Sequence, residues 1–96
     1  LVVAGADRVD LAEALHQLGG LGADVVLSEG GPSLNGALVE HGLVDEVCLS
    51  FSPLLAGGAA RRLAQSDSAP RRPLQLQLDR VLEDDHALYL RYRAAR

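Results

Sequence analysis

Apolar positions recur along this chain with two different periods, and the changes between them mark its elements. Residues 1–4 form a short apolar run that ends at Gly5. Asp10 followed three residues later by Glu13 fits a D-x-x-E variant of the capping box and predicts a helix start. Leu11, Leu15 and Leu18 then recur at i, i+4 and i+7, one face of a helix, and Gly19-Gly20 is its expected end. Val25-Val26-Leu27 is a continuous apolar run of the kind expected of a buried parallel strand. After Gly30-Gly31, Pro32 suits the first position of a second helix, since its missing N–H would be orphaned there anyway. Leu34, Ala37 and Leu38 supply that helix's apolar stripe and Gly42 its stop.

From residue 46 the period becomes two. Val47, Leu49 and Phe51 alternate with Glu46, Cys48 and Ser50. Residues 53–73 are rich in Gly, Ala, Ser and Arg and read as a long irregular connection. Leu74, Leu76 and Leu78 alternate with polar neighbours, as do Leu88, Leu90 and Tyr92. Glu83-Asp84-Asp85-His86 between them predicts an antiparallel hairpin. Short strand–helix joins imply parallel strands with right-handed crossovers. The expected fold class is therefore α/β, with a mixed sheet of parallel strands plus a C-terminal antiparallel hairpin. The chain has 96 residues, and a chain of this size is expected to bury about 60–65% of its unfolded surface, enough for one core. It opens at Leu1, without Met, directly inside an apolar run, and reads as a cut through a longer protein.

Composition narrows the chemistry. A net charge of −4 argues against nucleic acid as a partner, because phosphate neutralisation needs a basic surface. Aromatics at 3% leave no stacking platform for single strands. No apolar run approaches the roughly 18 residues of a membrane span, and no secretory signal is visible. All nine basic residues are Arg. One cysteine, Cys48, excludes an internal disulfide, and the expected compartment is the cytoplasm. Cys48 reads as a packed or partly exposed thiol. His16, His41 and His86 match no metal-ligand spacing, and His41 suits a helix C-terminus. Asp45 suits a turn and Glu46 an exposed strand position. Arg61, Arg62, Arg71 and Arg72 read as solvated loop charges.

The segment with chemical content is Ser28-Glu29-Gly30-Gly31-Pro32-Ser33-Leu34. A strand-like run ends, two glycines follow, and a helix begins. The first turn of a helix has unpaired N–H groups and the positive end of the dipole, and glycines let an anion approach the backbone. Taken alone, the pattern fits either a tight turn or an anion site, and Glu29 either a solvated carboxylate or a ligand-facing one. The Gly19-Gly20-Leu21-Gly22 run follows a helix and reads as a linker.

The wider pattern is more specific. Glu29-Gly30-Gly31-Pro32, then Leu34 and Leu38, Gly42-Leu43-Val44-Asp45-Glu46, Ser52-Pro53-Leu54-Leu55-Ala56-Gly57-Gly58 and the ending Leu88-Tyr89-Leu90-Arg91-Tyr92 resemble the reductase domain of bacterial riboflavin-biosynthesis deaminase–reductases and their stand-alone pyrimidine-reductase relatives. The resemblance spans almost the whole chain, densest over residues 25–58. It implies a dihydrofolate-reductase-like fold, of which residues 1–96 would be the C-terminal portion of a single reductase domain. It also implies NADPH as cofactor, a ribosylaminopyrimidine 5′-phosphate as the small-molecule substrate, its ribosyl group reduced to a ribityl chain, and a homodimer. Gly30, Gly31, Pro32 and Ser33 would lie against the cofactor diphosphate, with a cis peptide between the glycines. Glu29 would face the substrate, and residues 53–58 would lie near the active site. The family's other substrate contacts would lie upstream of residue 1, and the chain taken alone would be inactive. Two other readings stay open: a non-catalytic nucleotide-binding or dimerisation module on this fold, and a dihydrofolate reductase-type enzyme.

Overall fold

The computed structural model describes residues 1–67 and 72–96. The elements run in the order α1 (Leu11–Gly20), α2 (Pro32–Glu40), β1 (Glu46–Phe51), β2 (Leu76–Asp84) and β3 (Ala87–Ala94). Both helices fall where the periodicity puts them. Asp10 caps α1 by accepting from the Glu13 N–H at 3.0 Å. The Glu13 carboxylate turns instead to Gln17 at 3.0 Å, so only half of a capping box forms.

α1 ends at Gly20, so Gly19-Gly20 close it as expected. They lie in its last turn, and the chain reverses at Gly22, whose φ is +99°. The Gly22 N–H donates to Gly19 O and the Ala23 N–H to Leu18 O, both at 3.0 Å, a Schellman closure. α2 closes the same way at Gly42, φ +65°, with Leu43 N–H on Leu38 O. There the His41 Nδ1 lies 2.8 Å from Ala37 O, an atom that only accepts, so Nδ1 carries the proton.

The sheet has three strands in the order β1-β3-β2, and both pairings are antiparallel. The class is α/β, as expected, but the mixed sheet is not found. Residues 1–4 and 25–27 form no strand, and no parallel pair occurs among the described residues. A strand exists only against a partner, and neither run has one here. The Val3 and Ala4 carbonyls accept from the Gln17 side chain and the Asp10 N–H instead. Val25 stays 88% and Leu27 80% exposed, opposite to the expected burial.

The hairpin forms with adjusted limits. Leu74 lies outside β2, and Glu83 and Asp84 belong to the strand. The turn is Asp85-His86 alone, with φ +47° and +67°, the two positive values a two-residue I′-type loop requires. Leu76, Leu78, Leu90, Tyr92, Val47 and Leu49 share one sheet face by register. The register shifts between Leu78 and Arg80, so Asp79 is the extra residue of a bulge and Val81 joins the apolar face in place of Arg80. Asp79 is held by Arg91 Nε at 2.6 Å and Arg93 Nε at 3.5 Å. Arg91's hydrogen bond, aided by the charge of both arginines, holds the Asp79 carboxyl below the usual aspartate range. Arg96 fastens the chain end to the turn before β1, donating to Asp45 at 2.8 Å and to the Gly42 and Val44 carbonyls.

The expected core does not close. No apolar side chain is buried among the described residues, and the sheet's apolar face carries Phe51 at 55% and Leu78 at 56% exposure. The accessible surface is 8317 Å². A folded monomer of this 10.1 kDa mass would show about 5,300 Å². The radius of gyration of 15.6 Å likewise exceeds the roughly 12.5 Å of a compact 96-residue domain. The exposed sheet face and residues 25–27 contribute to that excess.

Candidate functional site

Gly30-Gly31 joins the apolar run of residues 25–27 to α2 through a cis peptide bond, as the resemblance implies. The two glycines are there for different reasons. Gly30 has φ +82°, which a side chain rarely tolerates, and a Cβ on it would stand 3.0 Å from Asn35 Nδ2. Gly31 has φ −76° and ψ −162°, ordinary extended backbone, and a Cβ there would meet nothing within 4 Å. Among the described residues nothing requires glycine at 31, and the space beside it is open.

Gly31 is also the N-cap of α2, and no side chain caps that helix. The contrast is with α1, where Asp10 covers the same position. Pro32 follows, so the first helical residue has no N–H. The Ser33 side chain is exposed at this end, and no acidic residue stands in the first turn. The result is an uncovered positive helix end behind an unobstructed glycine, which suits one anionic group. The residues present therefore fit a diphosphate on this side.

Glu29 is exposed beside Gly30, and no described residue donates a hydrogen bond to it. Ser28 Oγ accepts weakly from the Gly30 N–H at 3.4 Å. Thus Glu29, Gly30, Gly31, Pro32 and Ser33 are consecutive around one turn, with Glu29 before the glycines and the helix start after them. Residues 53–58 are exposed, and no hydrogen bond joins them to this turn among the described residues.

The segment that does reach it is residues 63–65. Asn35 Nδ2 donates to Leu63 O and the Gln65 N–H to Pro32 O, both at 2.9 Å. Arg61 and Arg62 line an open groove of about 930 Å³ between this segment and Gly36, Val39 and Glu40 of α2. Arg72 is exposed, and Arg71 lies outside the described residues. The sequence reading passed over Asn35 and Gly36. Their signal was local: Asn and Gly are both poor helix formers, and side by side inside a nine-residue helix they mark something other than propensity.

Cys48 is exposed on the sheet's polar face, and its Sγ sits 3.6 Å from Glu46 Oε1. No helix among the described residues is long and apolar enough to cross a membrane.

A sequence profile described as the RibD C-terminal domain matches residues 1–90. The 2,5-diamino-6-ribosylamino-4(3H)-pyrimidinone 5′-phosphate reductase of Methanothermobacter thermautotrophicus is 44% identical over 62 residues, covering 65% of this chain and 29% of that protein. The riboflavin biosynthesis protein RibD of Escherichia coli is 42% identical over 56 residues, covering 58% of this chain and 15% of that protein. The chain thus spans less than a third of the length of these relatives. A solved pyrimidine reductase-like protein of Corynebacterium diphtheriae superposes with a TM-score of 0.81 at 23% identity, covering 99% of this chain and 39% of that one, a likeness of fold.

Proposed function

The chain belongs to the RibD C-terminal domain family, and on that premise we propose that it is part of an NADPH-dependent reductase on a dihydrofolate-reductase-like fold. The substrate is a ribosylaminopyrimidine 5′-phosphate. The observation that carries this reading is the uncapped start of α2 behind the open side of Gly31.

In this reading the backbone of Gly31, Pro32 and Ser33 takes the cofactor diphosphate. A side chain at 31 would occupy the approach, and an N-capping side chain would compete for the helix N–H groups. NADPH, when bound, supplies a hydride. Delivered to the ribosyl carbon attached to the amine nitrogen, that hydride would displace the ring oxygen, which would take its proton from solvent, and so open the ring to the ribityl chain. Glu29 accepts hydrogen bonds from ribose hydroxyls and turns that carbon toward the hydride. That is positioning, which accelerates by orientation rather than by proton transfer. Hydride chemistry suits so sparse a site because the cofactor carries the reaction and the protein binds and aims. The enzyme works in the cytoplasm as a homodimer.

The test uses the natural protein as its whole gene encodes it. NADPH absorbance is followed with 2,5-diamino-6-ribosylamino-4(3H)-pyrimidinone 5′-phosphate and, separately, with dihydrofolate. Oxidation of NADPH with the first and not the second is expected. Turnover of dihydrofolate would favour the folate-type reading. Cofactor binding without turnover of either would favour a non-catalytic module.

A further inference from the structure

Residues 63–65 lie across the first two turns of α2 at very close range. The Gln65 N–H donates to the Pro32 carbonyl at 2.9 Å. A Cβ at Gly36 would stand 2.1 Å from Gln65 O and 2.6 Å from its carbonyl carbon, so only glycine admits the strap. Gly36 is the one buried residue among those described. Glycine within a helix costs about 1 kcal/mol against alanine, and the close backbone approach is what it is kept for.

Asn35 holds the strap down. Its Nδ2 donates to Leu63 O at 2.9 Å, and since a carbonyl only accepts, the orientation of the amide is settled. The same Nδ2 is the atom a Cβ on Gly30 would meet at 3.0 Å. One side-chain amide therefore lies against the Gly-Gly turn and against the strap, at the start of the helix that joins them. We infer that Asn35 is a positioning residue: by latching residues 63–65 across the start of α2, it fixes the aim of the Gly31–Ser33 backbone at the cofactor diphosphate. This rests on the functional reading above. Asn35 itself donates to the strap and need not touch the cofactor.

Two substitutions disturb the latch by different routes. Asn35→Leu keeps similar bulk, removes the donor and introduces a better helix former. Gly36→Ala drives a methyl into Gln65 and lifts the strap while favouring the helix. Both should raise the NADPH dissociation constant of the natural protein about tenfold, the loss expected of one hydrogen bond and its alignment, and raise KM for NADPH with little change in kcat. Hydrogen exchange at the Gln65 amide reports the strap directly. It should slow when NADPH binds the unsubstituted protein and quicken in each variant while exchange in β3 stays unchanged.

Wild-type NADPH affinity in a folded variant of either kind, or a Gln65 amide indifferent to NADPH, would overturn the inference and leave the functional reading standing. If either variant fails to fold, the other and the unsubstituted protein's Gln65 amide still decide. An unsubstituted protein that binds no NADPH would overturn both.

Discussion

Substituting each glycine of the turn by alanine separates what the fold needs from what a ligand needs. At Gly30 the backbone is left-handed, φ +82°, and the new methyl lies 3.0 Å from Asn35 Nδ2. The conformational cost for a non-glycine residue is about 1–2 kcal/mol. Asn35 must also shift to relieve the contact. At Gly31 the φ of −76° is ordinary and the methyl meets nothing within 4 Å. Alanine there stiffens the unfolded chain and should leave stability unchanged or raise it by up to about 1 kcal/mol. Binding should show the reverse emphasis. A methyl on the open side of Gly31 would occupy the approach proposed for the diphosphate. Displacing a diphosphate from one charge-assisted hydrogen bond costs about 1.5–3 kcal/mol, roughly a 10- to 150-fold weaker NADPH complex. Urea titration of the natural protein gives the stabilities, and calorimetry with NADPH gives the affinities. Gly31→Ala should be as stable as the unsubstituted protein and bind NADPH poorly. A stable Gly31→Ala variant with unchanged affinity would refute the placement of the diphosphate. A Gly30→Ala variant with full stability would refute the conformational argument.

Glu29→Gln, which keeps the shape and removes the charge, should lower kcat by about tenfold or more with little change in NADPH affinity; unchanged kcat and KM would return Glu29 to a solvated carboxylate. Asp79 has a lowered folded pKa, so its contribution is fully present above the usual aspartate value of about 3.9 and is lost as pH falls through the lowered one. Asp79→Asn should therefore destabilise the hairpin near neutral pH, less so at high salt, and remove that part of the acid loss, as followed by thermal denaturation from neutral to strongly acidic pH. The 96-residue chain taken alone should turn over no pyrimidine and should self-associate, since its surface exceeds that of a compact monomer by about 3,000 Å². Steady NADPH oxidation by a chain that sediments as a monomer would contradict this.

Local features were legible where their physics is local. Asp10, Pro32, Gly42 and the alternation from Glu46 to Phe51 each act within a few residues, and the elements they predict are present. The Gly-Gly turn was legible from strand–glycine–helix order and from resemblance. What separates its two glycines was not, because the obstacle at Gly30 is Asn35 and the openness at Gly31 is a property of space. The bulge at Asp79 was hidden for a similar reason. Leu74, Leu76 and Leu78 keep strict alternation, and only the pairing with β3 shows that the parity changes before Val81. Asn35 and Gly36 violate helix propensity, yet their partners lie 28 and 29 residues away, beyond the reach of any periodicity.

The strands expected at residues 1–4 and 25–27 fail for a reason that also explains the surface. Apolar runs such as Val25-Val26-Leu27 carry a preference for burial on both faces, but their backbone donors and acceptors must be paired before burial becomes favourable. β1, β2 and β3 satisfy that condition for one another through hairpin and neighbour pairing, and they form although Phe51, Leu78 and Val81 remain about half exposed. Residues 1–4 and 25–27 have matching apolar character and no ladder, and they stay irregular. Hydrogen-bond partners rather than hydrophobicity therefore decide which apolar runs of this chain become strands. Any segment that completes a ladder with residues 25–27 would also fix the approach to Gly30, four residues from Val26, and so would couple sheet closure directly to the geometry of the proposed cofactor turn.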